Sequence, residues 1–169
     1  QNVGSGSNAL AVAALNPLDW YRWGVGLTDA GGGLCSAWAS QGSGKHSLVQ
    51  ASGGAQPTIQ GDKSLLFDGA AQFMATGAFT LVPPYTFYLL VNPITWTAAD
   101  RISDGGPGGG AAIISEATLT PQISFAGSAS LQGGNLNLAA YNVISAVGNG
   151  ASSIIGVNNV DVAGDTGTG

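Results

Sequence analysis

The chain has 169 residues, 44% of them hydrophobic, 28 of them glycine and only 8% charged, against about 25% charged in an average soluble domain. Four cations (Arg22, Lys45, Lys63, Arg101) face nine acids for a net charge of −5, which excludes nucleic-acid binding through clustered phosphate contacts. The apolar residues are too many for a disordered chain, yet no apolar run reaches the ~18–20 residues of a membrane helix, so membrane insertion is not expected.

In chain order, residues 9–15 (ALAVAAL) form the best helix candidate, ended by Pro17. Residues 1–17 are therefore expected to be an N-terminal arm or short helix, and residues 18–169 a single sandwich domain. Helical periodicity is otherwise absent. Short stretches rich in Val, Ile, Phe, Tyr and Thr alternate with Gly, Pro, Asn and Asp, the pattern of an antiparallel sandwich or barrel. Strands are predicted at 20–25, 47–50, 64–67, 73–76, 85–91, 111–115, 122–126, 143–147, 153–157 and 160–163.

Within 86–91 nearly every residue is apolar (TFYLLV), which predicts a central strand covered on both faces. Asn158-Asn159 after 153–157 predicts a tight hairpin, since Asn tolerates positive φ. The glycine runs at 31–33 and 105–110 lack the Lys of a phosphate loop and read as connections at the rim. Cys35 is the single cysteine, so it makes neither an internal disulfide nor a Cys-based zinc cluster and reads as a small buried hydrophobe.

Three segments in order are more specific than composition. Trp38 leads through a Ser-Gly turn (Ser43-Gly44) and Lys45-His46 to Gln50 and then Gln56-Pro57-Thr58; next comes Leu65-Leu66-Phe67-Asp68-Gly69 running on to Gln72-Phe73-Met74; then Pro84-Tyr85-Thr86-Phe87-Tyr88-Leu89-Leu90-Val91. This succession resembles the concanavalin A-like (laminin G-like) jelly-roll modules of bacteriophage virion proteins and bacterial surface proteins. Asp100–Gly105, Thr120–Ile123 and Asn149–Ser153 are similar to its phage-type branch. The resemblance implies an all-β, antiparallel two-sheet jelly-roll sandwich over about 18–169. Family members continue past the stretch at 164–169, so the last strands are expected to be missing or to come from another polypeptide.

The Phe-Asp-Gly signature also has a local physical reading. Phe67 would end one strand in the core, Asp68-Gly69 would make the turn, with Asp bonding nearby amides and Gly taking positive φ, and Phe73 would return to the core. Asp68 is accordingly structural rather than catalytic.

Catalytic chemistry is poorly supplied. A glycosidase needs two carboxylates flanking the bond, but Glu116 is the single glutamate, and Asp62, Asp68, Asp104, Asp161 and Asp165 read as residues of Gly-flanked turns. The lone His46 has no Gly-x-Ser-x-Gly elbow, and Ser43 stands too near it in sequence for a triad. Aspartates paired at spacing four, Asp100 with Asp104 and Asp161 with Asp165, offer too few oxygens for calcium. No catalytic residue, metal or cofactor is expected.

Glycan binding asks for less, an aromatic ring for stacking and carboxylate or amide groups for hydroxyls. Trp96 beside Arg101 and Asp104 is the leading candidate platform, with Tyr141 and Trp23 next, whereas Trp20, Trp38 and Tyr88 are expected in the core. The resemblance and the charge-poor composition together imply a non-enzymatic virion structural module (capsid decoration, head spike or tail component), partnered by other virion proteins or copies of itself and touching host surface glycans. The alternative is a secreted or surface-attached bacterial carbohydrate-binding or adhesin module; a polysaccharide-cleaving enzyme ranks third.

Overall fold

Antiparallel pairing dominates the computed structural model, which describes residues 11–105, 112–115 and 120–167. Among the described residues the protein is all-β with almost no helix: residues 11–14 make one helical turn, and Gly53–Ala55 and Gly150–Ser152 are 3-10 turns. The start of the predicted helix, most of the second glycine run, Glu116 and the last two residues lie outside the described residues. The chain forms two compact units, Gln1–Phe79 and Thr80–Gly169.

In the first unit, β1 (Leu27–Asp29), β2 (Cys35–Trp38) and β3 (Leu48–Val49) form one sheet, and β4 (Thr58–Ile59) pairs with β5 (Leu65–Leu66). The glycine run 31–33 joins β1 to β2, all three residues at positive φ, with Asp29 Oδ1 accepting the Gly31 and Gly33 amides. The interior is partly polar. Gln56 Nε2 donates to the Gln50 carbonyl (2.8 Å), Gln50 Nε2 donates to that of Phe73 (3.2 Å), and both glutamines are buried. Cys35 is fully buried, burial pushes its thiol pKa up, and it behaves as the small hydrophobe the sequence suggests.

Two predicted strands of this unit do not form. Residues 20–25 make a turn instead, because Gly24 takes φ +68° and the Trp38 indole N–H donates to the carbonyls of Arg22 (3.2 Å) and Val25 (3.0 Å). From 73–76 only an isolated bridge between Ala75 and Val49 remains. The Asp68-Gly69 turn forms as expected: Oδ1 of Asp68 accepts the amides of Ala70 (2.9 Å), Ala71 (3.0 Å) and Gln72 (3.0 Å), and Gly69 has φ +69°. Its flanking phenylalanines are not core, however; Phe67 is 45% and Phe73 57% exposed.

The Ala70, Gln72 and Ala71 amides hold the Asp68 carboxyl below the usual carboxylate range. A depressed folded-state pKa means that the carboxylate stabilises the turn above its unfolded-state pKa and loses this role as pH falls through the folded value. Hydrogen exchange at Ala70, Ala71 and Gln72 is therefore expected to lose protection only below the ordinary carboxylate range. In Asp68→Ala that protection is absent at every pH.

In the second unit, β6 (Tyr85–Val91), β11 (Asn142–Gly148), β12 (Ser153–Val157) and β13 (Val160–Gly164) form a four-stranded sheet in the order β13-β12-β11-β6. A second four-stranded sheet runs β10-β9-β8-β7, from β7 (Arg101–Ser103), β8 (Ala112–Ser115), β9 (Gln122–Ala126) and β10 (Ser130–Asn135). The two pack face to face, as in a β-sandwich. Ile113, Ile123, Phe125 and Leu131 of one sheet meet Ile144, Ala146, Ile155 and Val157 of the other, with Phe87 and Leu89 packed against them. Gly133 in β10 lets the layers close: a Cβ there would stand 3.0 Å from the Ile155 side chain. Asn158 and Asn159 make the predicted two-residue hairpin at φ 51° and 68°.

The strand expected to be central is an edge. Among the described residues β6 pairs only with β11, and its burial alternates, Tyr85, Phe87, Leu89 and Val91 half-buried, Thr86, Tyr88 and Leu90 exposed. Tyr88 is thus on the outer face, 75% exposed, and not in the core.

Candidate functional site

Cross-strand register builds a row on the outer face of the β6-containing sheet. Tyr88 of β6 pairs with Ser145 of β11, Ser145 with Gly156 of β12, and Gly156 with Asp161 of β13. Directly paired residues share a face, so one line across four strands carries a phenol ring, a hydroxyl, a glycine buried beneath its neighbours' side chains and a carboxylate. A Cβ on Gly156 would collide with Asp161 Oδ1 and Ser145 Oγ, so both oxygens lean over the space the glycine leaves. Among the described residues neither of the two side-chain oxygens has a hydrogen-bond partner. Leu90, 56% exposed, and Val143, its partner on β11, extend the face with apolar surface.

Asp161 therefore stands in a strand, not in the Gly-flanked turn its sequence neighbours suggested. Its usefulness was invisible locally, because it depends on which residue of β12 it meets.

The residues singled out from sequence are distributed differently. Trp96 is half-buried and packs against the sandwich core rather than standing free as a platform. Arg101 and Asp104 do come together, as an exposed ion pair three residues apart, and the Arg101 amide donates to Asp100 Oδ1 (2.9 Å). Tyr141, just before β11, is exposed. Trp23 belongs to the first unit, exposed, with its indole N–H donating to the Asp62 carbonyl.

One polar cluster in the first unit was not anticipated. Asp19 grips His46 twice, Oδ1 accepting the His46 amide (3.0 Å) and Oδ2 lying 2.7 Å from Nδ1. The imidazole stacks on Phe79 with centroids 4.2 Å apart and planes 8° apart. Tyr21 donates its hydroxyl to the His46 carbonyl, and burial, followed by the Asp19 charge, pushes its phenol up to about 12, so it remains a donor at any working pH. Residues 17–20 lie against 41–44 through Gly44 N–H to the Leu18 carbonyl (2.7 Å) and Gln41 N–H to that of Trp20 (2.7 Å). Ser43 turns its hydroxyl to the Pro17 carbonyl (3.2 Å), not to His46. The cluster pins two loop segments together, and the carboxylate that orients the imidazole serves that joint.

No protein-family model, curated protein or solved structure matches the chain.

Proposed function

We propose that the chain is a non-enzymatic structural module of a virion, a jelly-roll sandwich of the concanavalin A-like kind used as capsid decoration, head spike or tail component. It works by packing against other virion proteins or further copies of itself, and it touches host surface glycans. The single observation that carries this reading is strand β6. Its seven residues, YTFYLLV, hold no charge, and among the described residues only one of its edges is hydrogen-bonded. Proteins that remain single blunt such an edge with lysine, proline, bulges or a covering segment, because unpaired backbone beside apolar side chains recruits another chain. A long uncharged edge suits a domain whose neighbours supply the missing partner. The low overall charge agrees, since a free monomer gains solubility from more of it.

The test is sedimentation velocity on the full chain over a concentration series, with hydrogen exchange at β6. The chain is expected to associate reversibly, with β6 amides slowing as it does. Thr86→Lys with Leu90→Lys, both at exposed outer positions, is expected to weaken association by roughly tenfold or more, as charged residues do on edge strands. A chain that stays monomeric at high concentration, with no affinity for virion neighbours, overturns the reading.

A further inference from the structure

We infer that copies of the chain join head to tail, the free edge of β6 in one copy docking beside β10 of the next and over Val160 and Val162 of that copy's β13. It rests on the reading of the chain as an assembling module and names the surface that receives β6. Register fixes the face. Val160 pairs with Val157 and Val162 with Ile155, and directly paired residues share a face, so both valines belong to the inner layer. Val157 and Ile155 are buried there, 4% and 0% exposed, yet Val160 is 66% and Val162 36% exposed. The facing sheet ends too soon. Its outermost strand, β10, crosses obliquely: Leu131 covers Gly164 of β13, where a Cβ would stand 2.5 Å from the Leu131 side chain, whereas Gly133 and Gly134 lie over Ile155 and Val157 of β12. The two valines thus form the floor of a slot with no strand above it among the described residues. One wall of the slot is the free edge of β10, which among the described residues pairs only with β9.

Such a slot asks for a strand rather than a helix, since a strand pairs with the backbone of β10 while its alternate side chains cover the valines. β6 of a second copy supplies both. Its outward edge is unpaired among the described residues, and Phe87 and Leu89, on its inner side, are only half-buried by their own sandwich. Charge does not oppose the match. β6 (YTFYLLV) and β10 (SLQGGN) hold no charged residue, and Asp161, the one charged residue of β13, lies on the opposite face from the two valines. No charge is therefore buried unpaired. The contact joins two different surfaces, so each added copy leaves one of each free, and addition continues in one direction until a ring closes or a filament grows.

The experiment mixes two blocked forms of the full chain and follows them by sedimentation velocity. Thr86→Lys with Leu90→Lys blocks the β6 end. Val160→Lys blocks the slot, at an exposed position where a charge leaves the fold intact, checked by unchanged amide protection in β11. Each form alone is expected to associate roughly tenfold more weakly than the unaltered chain, or worse, as charges do on and beside edge strands. Mixed, the two are expected to form a one-to-one dimer with the unaltered affinity, because one brings an intact slot and the other an intact β6. Amide exchange is then expected to slow in β10 of the first and in β6 of the second. Val160→Leu, which keeps the floor apolar, is expected to associate as the unaltered chain does. Val160→Lys associating as strongly as the unaltered chain, or a mixture no stronger than its components, overturns the inference and leaves the assembly reading standing, since β6 then meets something other than the slot. An unaltered chain that stays monomeric removes both.

Discussion

Phe125→Ala is expected to lower the stability of the second unit by about 3–5 kcal/mol. Phe125 is 1% exposed, the largest fully buried side chain, and sits where both sheets meet. Its cross-strand neighbours are Ile113 and Leu131, and the rings of Tyr85 and Phe87 stand edge-on to it at 6.5 and 6.2 Å. Truncation removes the buried ring and leaves a void that four strands would have to collapse to fill, which paired backbones resist. The edge-to-face contacts add to the loss beyond area alone. For a unit of this size the change corresponds to a fall in Tm of about 12 °C or more, read most directly as loss of amide protection in β9 and β11. Phe125→Leu keeps most of the volume and is expected to cost less than about 1.5 kcal/mol. Equal effects from the two substitutions would show that the ring is not the wedge between the sheets.

The strands that surround Phe125 were also the ones most legible in the sequence, and for the same reason. Stretches 85–91, 122–126 and 153–157 are β-branched or aromatic runs bounded by turn residues, and β6, β9 and β12 occupy these residues. β10 went unread because it is SLQGGN. Its glycines look like a loop, whereas in the sandwich they are the positions where Ile155 and Val157 of the facing sheet press closest. The aromatic run at 20–25 reads as a strand, but its carbonyls are taken by a Trp38 indole 13 and 16 residues away, a partner no local pattern displays. Apolar residues on both faces of 85–91 predicted double burial. Period-two alternation cannot tell a covered face from an outer face that carries Tyr88 and Leu90.

The candidate site was harder to read than the fold. Tyr88, Ser145, Gly156 and Asp161 are separated by 57, 11 and 5 positions, and only the hairpin and strand registers bring them into line. A loop rich in Trp, Arg and Asp is conspicuous in sequence, and so Trp96, Arg101 and Asp104 drew attention. Trp96 instead packs against the core, while Arg101 and Asp104 neutralise each other. A surface ion pair of this kind contributes little to stability.

Asn142→Leu is expected to destabilise the second unit by more than about 3 kcal/mol, although it replaces a polar residue by an apolar one of similar size inside a protein interior. Asn142 is fully buried at the start of β11. Its Oδ1 accepts the Asn137 amide (2.8 Å) and the Asn158 side-chain amide (3.0 Å), and its Nδ2 donates to the carbonyls of Asn137 (2.9 Å) and Ala140 (2.8 Å). One side chain thus satisfies the loop entering β11 and ties it to the β12–β13 turn, where Asn158 bonds the Val143 amide in its turn (2.9 Å). Leucine leaves these groups desolvated and unpaired, and each orphaned buried group costs about 1–3 kcal/mol. Asn142→Asp separates the roles, since it keeps the acceptor but turns the donor into a second oxygen facing two carbonyls. The buried carboxylate is then raised above its unfolded pKa, so its penalty is largest at neutral pH and recedes as pH falls and the group takes up a proton that can donate to one carbonyl. Thermal unfolding across that pH range is expected to show Asn142→Asp recovering stability on acidification while Asn142→Leu does not. Parallel curves for the two would mean that packing, and not the donated hydrogen bonds, is what this position supplies.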